Sequence, residues 1–113
     1  MKILVLGSSG FIGSNLVKRL KEQGHFVVGA DINEPKFVRP NVFHKVDLQD
    51  PISVAILFKS TIPYDRVYQL AADMGGAGFI FTGDNDADVL HNSALINLNV
   101  AKYATEAGVK QLF

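Results

Sequence analysis

The sequence feature that most constrains the fold is a glycine-rich turn between an apolar run and an amphipathic segment. Gly7, Gly10 and Gly13 recur at every third position and follow the apolar run 3–6, Ile-Leu-Val-Leu. A short, continuous apolar run of this kind predicts a strand that is buried on both faces of a parallel sheet. Apolar residues then recur at helical spacing from Phe11, which predicts that a helix begins directly after the turn.

The rest of the chain alternates predicted strands and helices. Asp50 and Pro51 are typical of the N-cap and first turn of a helix that ends by Pro63, and a longer helix is predicted from Asp88 to Ala107. Further strands are predicted over 25–30, 42–46, 66–71 and 109–113, and residues 72–88 are predicted to form a long loop. This order predicts an α/β, Rossmann-type, doubly wound parallel sheet that is truncated within or after strand five.

Bulk composition limits the function classes. A chain of 113 residues with 48% hydrophobic and 19% charged residues fits one globular domain. Eleven basic residues balance eleven acidic ones, so we expect neither nucleic-acid nor membrane binding. The absence of cysteine excludes disulfides and thiolate metal sites. The N-terminal apolar run is too short for a signal peptide, which favours a cytoplasmic location.

The glycine turn also carries chemistry, because a turn without side chains lets the backbone approach a pyrophosphate at a helix N-terminus. The alternative is an ordinary tight connection between strand and helix. Asp31 follows Gly13 by eighteen residues, near the interval at which an acid meets ribose hydroxyls in dinucleotide-binding domains. The sequence therefore predicts dinucleotide binding, and the Asp31 carboxylate favours NAD over NADP. Lys36 and Arg39 weaken that preference slightly if they are more than solvated loop charges.

Together these motifs resemble the extended short-chain dehydrogenase/reductase family, specifically its NAD-dependent epimerase/dehydratase members. Asp47 and Leu48 resemble an aspartate-hydrophobic pair that contacts adenine, and Gly108-Val109-Lys110 resembles the sequence before the family's fifth strand. The resemblance implies that residues 1–113 are the NAD(P)-binding amino-terminal part of a longer protein. The cofactor-binding residues that it implies are Gly7, Gly10, Phe11, Ile12, Gly13, Asp31, Asn33, Asp47, Leu48, Leu70, Ala71 and Ala72.

The segment 71–80 resembles the corresponding loop of the GDP-mannose 3,5-epimerases. The resemblance implies that Met74, Gly75 and Gly76 lie beside a nucleotide sugar, and the alternative is a lid without substrate contacts. Asn99 matches the family's pattern, whereas Asn92-Ser93 stands where the family has two asparagines.

Catalytic residues are not predicted within this chain. The family uses a Tyr-x-x-x-Lys pair, but no tyrosine here has a lysine four residues later, so we interpret Tyr64, Tyr68 and Tyr103 as structural. His25, His44 and His91 lie in separate elements and predict no metal site. Two functions remain open: the NAD-binding part of a nucleotide-sugar epimerase or dehydratase that oxidises its sugar transiently, or a non-catalytic dinucleotide-sensing module. A homodimer of the full-length protein is a further expectation.

Overall fold

A computed structural model describes residues 1–59, 63–71 and 86–113 of the chain. Its elements are β1 (Lys2–Leu6), α1 (Phe11–Glu22), β2 (Phe26–Asp31), β3 (Val42–Lys45), α2 (Pro51–Phe58), β4 (Arg66–Gln69), α3 (Asp86–Glu106) and β5 (Gln111–Leu112). All described strand pairs are parallel, and the sheet order is β3-β2-β1-β4-β5. The predicted Rossmann-type sheet is therefore confirmed.

The central strand β1 separates two hydrophobic clusters, because alternate side chains of a strand point to opposite faces. Ile3 and Val5 pack with Val17 and Leu20 of α1 on one face. Leu4 and Leu6 belong to the second cluster, on the face covered by the other two helices; these contribute Val54, Leu57, Phe58, Ile96, Val100 and Ala104. Residues 3–6 have no exposed surface, so the predicted double burial of this strand is confirmed.

Local signals at the helix ends agree with the sequence prediction. The Asp50 side chain accepts a hydrogen bond from the Ile52 N–H at 3.1 Å, and Pro51 occupies the first turn of α2. Gly24, after α1, has a φ of 87°, a left-handed conformation that is open to glycine without a steric penalty. None of the helices in the described part of the chain is long and apolar enough to cross a membrane.

Several predicted boundaries shift. β4 ends at Gln69 rather than at Ala71, because the Gln69 side-chain amide bonds both the N–H and the C=O of Ala71. α2 ends at Phe58, before the predicted stop, and α3 begins at Asp86, two residues before the predicted start. Of the loop predicted over 72–88, residues 72–85 lie outside the described residues.

Candidate cofactor-binding site

The candidate site lies where the carboxyl ends of three neighbouring strands meet. The Gly7 N–H donates to the Ala30 carbonyl at the end of β2, at 2.8 Å. The Leu70 N–H, just after β4, donates to the Leu6 carbonyl at 2.9 Å. Since β2 and β4 flank β1, the strand order runs in one direction from β1 to β3 and in the other direction from β4 to β5. Open α/β sheets bind ligands in the crevice that this topology creates.

Gly7 and Gly13 are required by the fold itself. Gly7 has a φ of 84°, and a Cβ there would lie 2.8 Å from the Ala71 nitrogen. A Cβ on Gly13 would lie within 2.9 Å of the Gly7 carbonyl carbon and closer still to its oxygen. Both obstacles are backbone atoms, which cannot move aside as a flexible side chain could. Gly13 thus lets α1 pack on the turn. Its predicted contact with a cofactor stays a prediction.

Gly10 differs from the other two glycines. It is exposed, its φ of −76° suits any residue, and a Cβ would meet only the Gly7 oxygen at an ordinary 3.6 Å. Nothing in the described part of the chain therefore demands a glycine at this position. The side of Gly10 that lacks a side chain is therefore open with respect to the described residues.

The N-terminus of α1 offers free backbone donors. Gly10 is the N-cap and makes no side-chain capping bond, and the first turn contains no acidic residue. The first helical bond runs from the Ser14 N–H to the Gly10 carbonyl at 2.8 Å, so the N–H groups of residues 11–13 lack helical acceptors. Phe11 and Ile12 expose 78% and 70% of their surface beside these donors. This combination fits an anion with an adjoining apolar group.

Asp31 holds the glycine turn in place. One carboxylate oxygen accepts from the Ser9 N–H at 3.0 Å, and the other accepts from the Asn33 N–H at 3.0 Å. The Ser9 hydroxyl in turn donates to the Asn33 carbonyl at 2.7 Å. Because each carboxylate oxygen can accept more than one hydrogen bond, Asp31 retains acceptor capacity for a ligand hydroxyl. The structure thus places Asp31 and Asn33 directly against the turn.

Asp47 and Leu48 lie next to Asp31 at the end of β3. The Val46 N–H donates to the Asp31 carbonyl at 2.9 Å, and the exposed Asp47 carboxylate accepts from the Gln49 N–H at 2.9 Å. The Leu48 side chain is buried in the core, with 4% of its surface exposed. Within the described part of the chain, no hydrogen bond uses the Leu48 N–H. Asp47 and Leu48 thus present an acceptor and a donor side by side.

The sequence did not predict three contacts at the site. Gly29 is needed because a Cβ there would lie 2.5 Å from the hydroxyl oxygen of the buried Ser8. Gln69 donates to Asn97 of α3 at 2.9 Å while bridging Ala71. Asn99 of α3 reaches the loop after β3. The recurrence of asparagine at 97 and 99 was the available signal for the last two contacts, but it does not reveal their partners.

The remaining titratable residues have structural surroundings. The Tyr64 hydroxyl donates to the Leu57 carbonyl at 3.2 Å, and burial raises the pKa of Tyr64. Tyr68 stacks on Phe113, and Tyr103 packs against the core. The hydrogen bond from the Lys2 N–H, and then the charge of Lys110, lower the pKa of Asp65 despite some desolvation. These contacts support the interpretation of the tyrosines as structural.

The three histidines lie in separate parts of the structure. His44 and His91 are exposed, on β3 and α3, and His25 is half-buried before β2. The described residues contain no group of side chains arranged to hold a metal ion. Ala72 and the predicted substrate residues Met74, Gly75 and Gly76 lie outside the described residues.

Comparison with known proteins gives a consistent result. Residues 3–113 match the model of the NAD dependent epimerase/dehydratase family. The chain is 35% identical over 114 residues to GDP-mannose 3,5-epimerase 1 of Oryza sativa subsp. indica, a match that covers 100% of this chain and 30% of that protein.

Solved structures of epimerases share the fold. A UDP-glucose 4-epimerase of Thermotoga maritima, solved with UDP-glucose, superposes with a TM-score of 0.82 at 28% identity. A UDP-glucose 4-epimerase of Thermus thermophilus, in complex with NAD, superposes with a TM-score of 0.79 at 29% identity. Each match covers 99% of this chain and 36% of the other protein. The chain thus spans about a third of the length of these proteins.

Proposed function

The chain belongs to the NAD dependent epimerase/dehydratase family, and we propose from that premise that its three strand ends form the NAD site of a nucleotide-sugar epimerase. The observation that carries the proposal is the open face at Gly10, at the uncapped N-terminus of α1. A glycine that its own fold does not require is expected where a ligand must touch the backbone. The free N–H groups of residues 11–13 would hold the pyrophosphate there.

The surrounding residues fit the other parts of NAD. The Asp31 carboxylate would accept hydrogen bonds from the ribose hydroxyls, and it would repel the 2′-phosphate of NADP. Asp47 and the Leu48 N–H would take the adenine edge. The backbone at Leu70 and Ala71, which packs against Gly7, would line the path toward the nicotinamide. The side chains of Phe11 and Ile12, which are exposed, would then cover part of the bound cofactor.

For the intact protein we propose transient oxidation of a nucleotide sugar, with GDP-mannose as the first candidate. NAD held at this site would supply the hydride acceptor when a sugar CH–OH is oxidised to a carbonyl, while the hydroxyl proton would pass to a base of the intact protein; both would later be returned. A carbonyl formed at carbon 4 acidifies the protons on the adjacent carbons 3 and 5, where a 3,5-epimerase inverts its substrate. The likeness to rice GDP-mannose 3,5-epimerase 1 over the whole chain supports this choice of substrate. Met74, Gly75 and Gly76 would lie beside the sugar.

The test uses the intact protein and two measurements. Calorimetric titration with NAD and with NADP is expected to give tighter binding of NAD. Incubation with GDP-mannose in D₂O, followed by proton NMR, is expected to show deuterium entering at carbons 3 and 5. A failure to bind NAD would contradict the cofactor site itself. Binding of NAD without deuterium exchange into any nucleotide sugar would instead favour a dinucleotide-sensing module, and exchange into a different nucleotide sugar would correct only the substrate.

A further inference from the structure

Asn99 of α3 makes a contact that the cofactor site does not by itself explain. Its side chain is 8% exposed, and its Nδ2 atom donates to the Leu48 carbonyl at 3.1 Å and to the Gln49 carbonyl at 3.2 Å. A carbonyl oxygen only accepts, so these two partners fix which end of the amide is nitrogen. Both hydrogens of one buried NH₂ group are thereby committed to a loop fifty residues earlier in the chain.

That loop is held from three directions. The Leu48 side chain enters the core cluster to which Ile96 and Val100 of α3 also belong. The Asp47 carboxylate closes a turn on the Gln49 N–H, and the Asp50 N–H donates back to the Asp47 carbonyl at 3.1 Å. Asn99 binds the Leu48 and Gln49 carbonyls on the inner side of the loop. The second carboxylate oxygen of Asp47 and the Leu48 N–H make no hydrogen bond within the described part of the chain.

We propose that Asn99 is a positioning residue that sets the selectivity of the site for adenine, an inference that rests on the proposed NAD site. Adenine presents an amino donor beside a ring-nitrogen acceptor, which matches the order of the Asp47 carboxylate and the Leu48 N–H. Rotation of the peptide units around Leu48 would turn that N–H away from the base. That N–H belongs to the peptide unit of the Asp47 carbonyl, which the Asp50 N–H binds. Asn99 fixes the two peptide units that follow, through the Leu48 and Gln49 carbonyls, and so opposes the rotation from the other side of Leu48.

The experiment measures a ratio of affinities in the intact protein. Calorimetric titration compares NAD with nicotinamide hypoxanthine dinucleotide, whose base carries an oxygen in place of the amino group and a hydrogen on the neighbouring ring nitrogen. The unmodified protein is expected to prefer NAD. Asn99→Leu, which keeps the branched skeleton but loses both donors, is expected to weaken NAD binding about tenfold, because the contacts to adenine lose their fixed geometry. The same substitution should bring the ratio of the affinities for NAD and for the hypoxanthine dinucleotide close to one.

Two further variants separate positioning from general damage. Asn99→Asp keeps the size of the side chain but sets an acceptor against two carbonyls, so it should reduce the ratio as Asn99→Leu does. Leu98→Ala changes the adjacent residue, whose side chain is 68% exposed, and should leave the ratio unchanged. Circular dichroism and thermal melts establish that each variant is folded.

The outcomes distinguish this inference from the proposed function. If both Asn99 variants weaken the two dinucleotides equally, or if neither changes NAD affinity, the positioning role is wrong while the NAD site stands. Unfolding of both variants would likewise overturn the proposal, since the hydrogen bonds would then serve the fold. If the unmodified protein does not bind NAD, the proposed function is refuted. This result is seen before any substitution is made, so it is distinguishable from a failure of the positioning role.

Discussion

The two glycines at the start of α1 should respond to substitution in opposite ways. In Gly13→Ala the new methyl group would collide with the Gly7 carbonyl group and would lie 3.0 Å from the Ser8 Cα. Overpacking against backbone costs about 3 kcal/mol, and the better helix propensity of alanine returns about 1 kcal/mol. The net loss of about 2 kcal/mol should lower the melting temperature of the intact protein by roughly 4 °C.

Gly10→Ala should cost only about 0.7 kcal/mol of stability, the difference between glycine and alanine at an N-cap, and should instead impair cofactor binding. Among the described residues its methyl group would meet only the Gly7 oxygen, at 3.6 Å, and alanine suits the observed φ of −76°. A cofactor phosphate against this backbone would lose about 1–3 kcal/mol of binding free energy, which corresponds to roughly a 5-fold to 150-fold weaker affinity. Gly10→Val should abolish measurable binding in a folded protein.

The assay pairs thermal unfolding, followed by circular dichroism, with calorimetric titration of NAD, both on the intact protein. The reasoning is refuted if Gly10→Ala lowers the melting temperature as much as Gly13→Ala does. It is also refuted if Gly10→Ala binds NAD with unchanged affinity, because the open face above the turn would then not be the cofactor's path.

Three further predictions concern other residues. Asp31→Ala should weaken NAD binding at least tenfold and narrow the preference over NADP, because the substitution removes the ribose acceptor, the repulsion and the bond to the Ser9 N–H; calorimetry with both cofactors measures this, and equal or tighter NADP binding by the unmodified protein would contradict it. The pKa of Asp65 is lowered in the folded state, so its contribution to stability is present above its ordinary value of 3.8 and is lost as the pH falls through the folded pKa. Asp65→Asn should therefore unfold with less pH dependence below about pH 4 in urea titrations, and an unchanged dependence would argue against the shift. Gly75→Val in the intact protein should slow turnover of GDP-mannose while NAD affinity stays nearly constant, whereas unchanged turnover in a kinetic assay would remove the loop from the sugar site.

The sequence alone was sufficient for the fold class and for the position of the glycine turn between β1 and α1. Apolar runs such as 3–6 report burial on both faces of a sheet, and a glycine turn leading into a helix is a local pattern that needs no knowledge of distant residues. Asp50 likewise signals a helix start through a bond to a residue only two positions away. These predictions succeeded because their physical causes lie within one turn or one strand.

Only the tertiary structure separated the roles of residues that look alike in the sequence. Gly10 and Gly13 belong to one motif, yet backbone from the same turn blocks a side chain at Gly13 and leaves Gly10 open. Gln69 shortens β4 by bonding Ala71, and Asn99 meets the loop after β3 only because α3 packs across the sheet beside it. Such roles depend on how separate elements approach one another in space. The distances between those elements cannot be read from the sequence pattern.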